Sequence, residues 1–323
     1  MYRSGCFDAP IDRRTVAEPL LCFFVMPQLS VVMSVYNCAD ALTATLDSIL
    51  QQTVMDFELL VVDDGSSDRT PAILAEYAAR DSRLRVITQA NAGLTRALIR
   101  GCNEARAEFI ARHDCGDRSH PERFARQLAA FQEGVVLVSS AMQLVAPDGE
   151  PLLVKHLDGD AVRRSLLEDD VAHIRSIPHH GTAMFRRDAY LAAGGYREQF
   201  RVAQDVDLFV RLAKLGRFVI LEEPLYDAVA DPAGISSTSR PAQIRAAELI
   251  IAMRDGGDAT TLLAEAARII PTPRTARGEA SGLYFIARCL RARRSGTARS
   301  YLLRAVRRNP LHWRAWASLV SGR

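Results

Sequence analysis

The chain has 323 residues, 48% of them hydrophobic, which suffices for one large core or two smaller domains and excludes disorder as the default state. A formal net charge of only +3 gives no global field for nucleic acid, so no nucleic-acid partner is expected. The charge is nevertheless uneven: after Glu279 there is no Asp or Glu, while Arg recurs to Arg323.

The six cysteines, Cys6, Cys22, Cys38, Cys102, Cys115 and Cys289, form no Cys-x-x-Cys pair and have no zinc-type histidine spacing. Reduced thiols in a cytoplasmic protein are therefore the expectation, with Cys115 as small-residue filler. The apolar run Pro19 to Met26 is about half the length needed to cross a bilayer and lacks a small-residue cleavage site, so it reads as neither anchor nor signal. Residues 1–26 are read as a disordered extension.

From there strands and helices alternate. Leu29 to Tyr36 is a β-branched strand, and Ala39 to Gln52 has helical spacing through Leu42, Leu46, Ile49 and Leu50. Phe57 to Asp63 is a second strand, followed by the turn DGSSDRT and a helix from Pro71 to Arg80, with Asp68 or Thr70 placed to cap it. Arg83 to Thr88, a helix from Ala92 to Ala105, and the strand Glu108 to His113 continue the pattern. Such alternation predicts an α/β fold, with a mostly parallel sheet covered by helices on both faces.

The fourth strand runs into DCGDRSHPERFARQ, where Pro121 opens the next helix. Beyond it, Val135 to Ser139, Ala141 to Val145 and Leu152 to Val154 read as strands around the turn Pro147-Asp148-Gly149. A helix near Gly159 to Glu168, a strand Thr182 to Phe185 and a short helix Asp188 to Ala193 follow. In VAQDVDLFVRLAKLG, Asp205 and Asp207 occupy the first turn of a helix that Gly216 ends. Residues 241–323 are helical by pattern, with Pro271 to Thr275 as a linker.

No G-x-G-x-x-G follows the first strand, and neither G-x-x-x-x-G-K-[ST] nor G-x-S-x-G occurs, so dehydrogenase, P-loop ATPase and hydrolase readings lose their usual support. What remains is acids at strand ends. Asp63 and Asp64 close the second strand and can accept hydrogen bonds from a ribose or a base N–H; a solvated Asx turn would use the same residues. Asp114 and Asp117 follow the fourth strand, where open α/β sheets bind ligands; turn or helix-capping roles are the other reading. Adjacent His179 and His180, if extended, point to opposite faces, one toward a cleft and one structural.

LSVVMSVYNCADALTATLDSILQQTVMDFELLVVDDGSSDRT, NAGLTRALIRGCNEARAEFIARHDCGD, HGTAMFRRDAYLAAGGY and QDVDLFVRLAKLG together resemble the ordered motifs of the family 2 inverting glycosyltransferases with the GT-A fold, over roughly Pro27 to Ser237. The resemblance implies a GT-A-like transferase domain at 27–240 and, beyond it, an all-helical extension at 241–323. It implies a site in which Tyr36, Asp63, Asp64, Asn91, Gly93, Arg112 and Asp114 hold the nucleotide sugar. His180, Gly181, Thr182 and Gln204 would lie beside the donor sugar or acceptor, with Asp205 as general base and Asp207 a surface or support residue. A divalent cation, Mg or Mn, would sit at Asp114, with Asp117 as second ligand.

The pattern departs from the family in three places. Gly116 stands where a second acid of the metal motif is common, Gln204 where Glu often precedes the base, and no His occurs near Ser236. Asp205 at a helix start should stay ionised, which keeps it proton-free but weakens it as a base.

The implied reaction is inverting transfer of one sugar from a UDP- or dTDP-linked donor to a hydroxyl of a polysaccharide or lipid-linked acceptor. The alternative, motivated by Gly116, is a catalytically impaired sugar-nucleotide-binding or scaffold protein of the same fold. A nucleotidyltransferase lacks support because no Gly-rich, Lys/Arg-bearing phosphate loop follows Tyr36. The basic tail SYLLRAVRRNPLHWRAWASL resembles one tetratricopeptide-like helix pair; it either docks on the transferase domain or meets anionic lipid at the inner membrane face.

Overall fold

The structure is a computed structural model and describes residues 26–170, 177–234 and 238–321. The extension expected at 1–26 lies outside the described residues apart from Met26, and Ser236 is outside them too.

The chain opens with β1 (Leu29–Val35), α1 (Ala39–Leu50), β2 (Phe57–Asp63), α2 (Thr70–Arg80), β3 (Leu84–Thr88), α3 (Leu94–Glu104) and β4 (Phe109–Asp114). Side chains alternate across the pleat, and here both faces are covered. Val31, Met33, Leu59 and Val61 pack with Leu42, Leu46, Ile49 and Leu74 on one side. Val32 and Leu60 pack with Leu98 and Cys102 on the other. That double burial is why these strands read as unbroken apolar runs.

Next come β5 (Arg118–Ser119), α4 (Arg123–Ala129), β6 (Val135–Val145), β7 (Pro151–Lys155), α5 (Gly159–Glu168), a 3-10 turn (His180–Thr182), β8 (Met184–Arg186), α6 (Arg187–Ala192), α7 (Gln204–Ala213) and β9 (Arg217–Val229). The sheet order is β3-β2-β1-β4-β8-β6-β9-β5, with β7 paired to β6. The parallel order predicted from the first half holds through β3, β2, β1 and β4. Strand β8 then runs antiparallel to both β4 and β6, while β6 and β9 are parallel, so the whole is a mixed α/β sheet.

Strand β9 opens on the apolar run Phe218 to Leu221, but Glu222-Glu223-Pro224 interrupts it. The sheet absorbs the interruption: Ser140 faces Leu221 and the next residue, Ala141, faces Pro224, so the two glutamates fall in a bulge.

The remaining helices are α8 (Arg240–Arg254), α9 (Ala259–Ala266), α10 (Ala276–Ala292), α11 (Ala298–Arg308) and α12 (Trp313–Ser321). Ala246, Leu249 and Ile250 of α8 and Ala266 of α9 belong to the same core as Leu208, Phe209 and Leu212 of α7. Helices α10, α11 and α12 form a third core with Leu283, Ile286, Leu290, Leu302 and Val306, closed against Ala146 and Leu152 beside and within the β6–β7 ribbon.

Among the described residues, two cysteines are not reduced thiols. Cys38 and Cys115 form a disulfide across a sequence separation of 77, while Cys102 and Cys289 are free. The sequence gives no hint of this pair because spacing is not what joins it. Neighbouring parallel strands β1 and β4 end level, with Ser34 opposite Asp114, and so bring the two following turns together.

Candidate functional site

The floor of the site is the carboxyl end of β4. Arg112 is fully buried, and its guanidinium donates to Asp114 Oδ1 at 2.7 Å, to the His113 carbonyl at 3.1 Å, to the Val32 carbonyl, and to His180 Nε2 at 3.3 Å. Burial works against charge on Asp114, but the Arg112 guanidinium and the rings of His180, His179 and His113 together outweigh it and hold the carboxyl at about 2. Arg112, expected to touch the nucleotide sugar, lines no described cavity. What it touches instead is the Asp114 carboxylate, which it orients.

Asp117 is buried, accepting from Tyr226 Oη at 2.9 Å and from the Val229 amide at 2.8 Å. Burial and then the Asp114 charge push its carboxyl up to about 8. Two carboxylates this close disfavour each other's ionisation. Asp114, Asp117 and His179 each offer a ligand atom within 4.8 Å of the others. Oxygen donors with one imidazole suit a divalent ion such as Mn, so these residues fit the expected cofactor even with Gly116 in place of an acid.

The two histidines do not sit on an extended strand. His179 caps the 3-10 turn that His180 begins, and both line one cavity, contrary to the opposite-face expectation. Burial first, then the Arg112 charge, drives His180 down to about 3. The neutral ring accepts at Nε2 from Tyr196 Oη at 2.6 Å as well as from Arg112.

Gly181 and Thr182, expected at the sugar side, hold this turn in place. The Gly181 carbonyl accepts from Arg123 Nη2 at 2.7 Å, and a Cβ on Gly181 would lie 2.2 Å from Tyr226 Oη. Thr182 is buried; its hydroxyl donates to the His179 carbonyl at 2.7 Å and lies 2.6 Å from Ser139 Oγ.

On the β1–β2 side is a cavity of about 620 Å³ lined by Tyr36, Asp64, Asn91, Gly93, Arg96 and Arg201 among others. Tyr36 is 54% exposed. The Asp64 carboxylate accepts from Gln89 Nε2 at 2.7 Å and from the amides of Ala92 and Gly93 at 2.8 Å each, which fixes the entry to α3. Asp63 does not line this cavity: it is buried and accepts from the Ser66 amide at 3.0 Å, the Asx-turn role its sequence also allowed. That turn is clasped to the loop after β1, since Ser67 N donates to Asn37 Oδ1 at 2.8 Å and Cys38 N to Thr70 Oγ1 at 2.9 Å.

A second cavity, of about 290 Å³, contains Asp114, His179, His180, Gln204 and Asp205, and shares Leu94 and Arg201 with the first. Asp205 stands in the first turn of α7, after Ala203 in a left-handed conformation. Its carboxyl is raised: burial dominates, and the Asp114 charge adds to it, against the amides of Val206 and Asp205 itself. Asp207 is no surface residue; it is buried and paired to Arg211 and, at 3.4 Å, to Arg197, anchoring the helix.

Lys155, Arg201, Gln243 and His179 also line these cavities without having been predicted there as site residues. Lys155 on β7 donates to the Ile177 carbonyl at 2.9 Å, and burial lowers its affinity for a proton, with Asp205 opposing. Apart from His179, half of the adjacent histidine pair, none carries a local signal; only the fold collects them. The buried Arg123, bonded to Ser119, Gln127, and the carbonyls of Arg112 and Gly181, was equally unmarked.

With this geometry in view, comparison with known proteins is informative. The model of glycosyl transferase family 2 matches residues 30–192. EpsE of Bacillus subtilis (strain 168), named as a glycosyltransferase, is 32% identical over 212 residues, covering 64% of this chain and 74% of EpsE. The chondroitin synthase of Pasteurella multocida (strain Pm70) is 28% identical over 206 residues, which is 63% of this chain but only 21% of that enzyme. Among solved structures, the mannosyltransferase PcManGT from Pyrobaculum calidifontis in complex with GDP-Man and Mn2+ has a TM-score of 0.56 at 19% identity, covering 92% of this chain and 84% of its own. TarS 1-349 of S. aureus in complex with UDP has a TM-score of 0.54 at 18% identity, covering 92% of each chain. At such identities these likenesses carry the GT-A-like fold alone, but the family match spans half the chain. The chain belongs to glycosyl transferase family 2 and is a glycosyltransferase.

Proposed function

We propose that this enzyme transfers one sugar, with inversion, from a nucleotide diphosphate sugar to a hydroxyl of a polysaccharide or lipid-linked acceptor, with Asp205 as general base. The observation that carries this reading is the joining of two cavities at Leu94 and Arg201, one lined by Tyr36 and Asp64, the other by Asp114 and Asp205. A donor laid across that junction has its base beside Tyr36, Asn91 and Gly93 and its diphosphate near Asp114. An acceptor hydroxyl then has Asp205 to take its proton. A raised carboxyl is the stronger base, so burial improves Asp205 for this task.

Asp114, Asp117 and His179 would hold a divalent cation, which when bound would offset the charge of the departing diphosphate. Arg112 keeps Asp114 ionised and oriented. Gln204 and His180 line the same cavity and would shape the donor-sugar side. A uridine or thymidine donor is favoured, and the transferase unit is taken to extend from residue 27 through the core that includes α8 and α9, a little past the boundary at 240 drawn from sequence.

Among the described residues no helix is long and apolar enough to cross a membrane. A peripheral contact is proposed through the C-terminal helices. There Leu311, Trp313, Trp316 and Val320 are 87%, 70%, 48% and 85% exposed on a segment that carries Arg but no acid. The full chain should pellet with vesicles of anionic lipid and lose this in Trp313→Ser/Trp316→Ser. No pelleting of the wild type ends the membrane proposal.

The decisive experiment is a thermal-shift panel of UDP-, dTDP- and GDP-sugars with and without manganese, followed by nucleotide release. A selective, manganese-sensitive shift with turnover supports the reading. Binding without turnover on any acceptor favours the second reading, an impaired donor-binding protein, which Gly116 in the metal motif motivates.

A further inference from the structure

We infer that the cavity between the β6–β9 edge and α10 is the acceptor subsite, and that it takes an apolar group next to the acceptor hydroxyl. This rests on the transferase reading above. The cavity, about 520 Å³, is bounded by Met142 and Leu144 of β6, Val229 and Pro232 at the end of β9, and Phe285 and Ile286 of α10. Met142 and His179 line both this space and the cavity of Asp205, so the two are contiguous. An acceptor lodged against α10 therefore lies next to the space that holds the base.

The wall chooses the class of occupant. A sugar ring has a hydroxyl on most carbons, and each one buried needs a partner. This wall is mainly aliphatic and aromatic, its polar side chains being His179, Asp231, Arg240 and Ser281. It suits an alkyl, acyl or aryl group, with the hydroxyl reaching onward to Asp205. Phe285 is 45% exposed while its neighbour Ile286 is 1% exposed in the helical core. Covering that ring with a second apolar group removes surface from water that the fold by itself leaves wet.

The wall is also held in position. A Cβ on Gly282 would stand 2.7 Å from Pro232 Cα, so α10 lies directly on the segment leaving β9. The helical extension thereby builds one side of the pocket instead of merely docking on the domain.

The experiment uses the full chain with the donor chosen by thermal shift, and pairs of phenyl and methyl β-D-glycosides of the same sugars as acceptors, read by nucleotide release. The phenyl member of an accepted pair should have a KM about tenfold lower than the methyl member. Phe285→Ser should raise the phenyl KM to the methyl value while leaving the donor thermal shift unchanged. Equal KM values in the wild type, or a phenyl preference that survives Phe285→Ser, overturn the proposal.

Saturation-transfer NMR of phenyl β-D-glucoside with the nucleotide-saturated protein gives a readout without turnover. Signal on the phenyl protons should appear in the wild type and vanish in Phe285→Ser; its absence from the wild type also overturns the proposal. A missing donor shift and no nucleotide release with any acceptor would instead sink the transferase reading. Donor turnover without any phenyl preference sinks only the subsite.

Discussion

The two halves of the site are built on different principles. On the β1–β2 side, carboxylates are consumed by backbone: Asp63 and Asp64 spend their lone pairs on the amides of Ser66, Ala92 and Gly93, and the cavity takes its shape from turns so fixed. On the β4–α7 side, charge is set against charge and against burial. Asp114 is held low by Arg112 and the histidines, whereas Asp117 and Asp205 are driven up by desolvation. The first half is a mould and the second an electrostatic balance, so equal substitutions should have unequal effects in the two.

The largest effect should come from Asp205→Asn. Removing a general base costs about a thousandfold in turnover, while the donor-induced thermal shift survives. Equal turnover in the variant would break the comparison at its centre. The wild-type rate should fall as pH falls through the raised value of Asp205, above its ordinary 3.8.

The same shift has a stability sign. A carboxyl raised on folding contributes stability below 3.8 and loses it as pH rises through its folded value. At neutral pH, Asp205→Asn should therefore melt no lower than wild type.

Arg112→Met should come next, because it strips Asp114 of its counter-charge in a buried setting. On the order of 3 kcal/mol is expected, or roughly 6–12 °C in Tm, together with a weaker manganese response. An unchanged Tm would mean that the balance in the second half is not what holds it.

Cys115→Ser, or dithiothreitol on the wild type, tests the link between the halves, since Cys38 follows β1 and Cys115 sits in the acidic turn. A loss of about 2 kcal/mol is expected for each. Identical melting with and without reductant would remove the disulfide from the account.

The smallest effect should follow Asp64→Asn, which spoils two amide contacts in the mould. About 1 kcal/mol of donor affinity should go, roughly fivefold in Kd, with turnover at saturating donor close to wild type. A collapse of turnover would show that this half also takes part in the chemistry.

The acids marked for attention were legible because a carboxylate at a strand end has no packing purpose. Asp64, Asp114 and Asp205 do line the two joined cavities. What those acids experience was not legible. A helix start favours charge on Asp205, yet burial outweighs the amides there and raises the carboxyl. Arg112 was expected to face ligand and is instead entirely enclosed. The histidine pair was misassigned because His179 and His180 lie on a tight turn, where adjacent side chains can face the same space. The pairing of Cys38 with Cys115 was missed for want of any sequence spacing that betrays it.

Sequence alone determined the local order: where the apolar runs of β1, β2 and β4 begin and stop, which helices cross between them, and that acids follow their ends. Those features depend on neighbours a few residues away, which periodicity and turn chemistry report. Only the tertiary structure decided the interruption tolerated in β9, the cation-ready grouping of Asp114, Asp117 and His179, and the face that α10 presents beside Met142. Each of these rests on contacts between distant segments and on how much water is excluded around a charge, quantities that exist only once the chain has closed on itself.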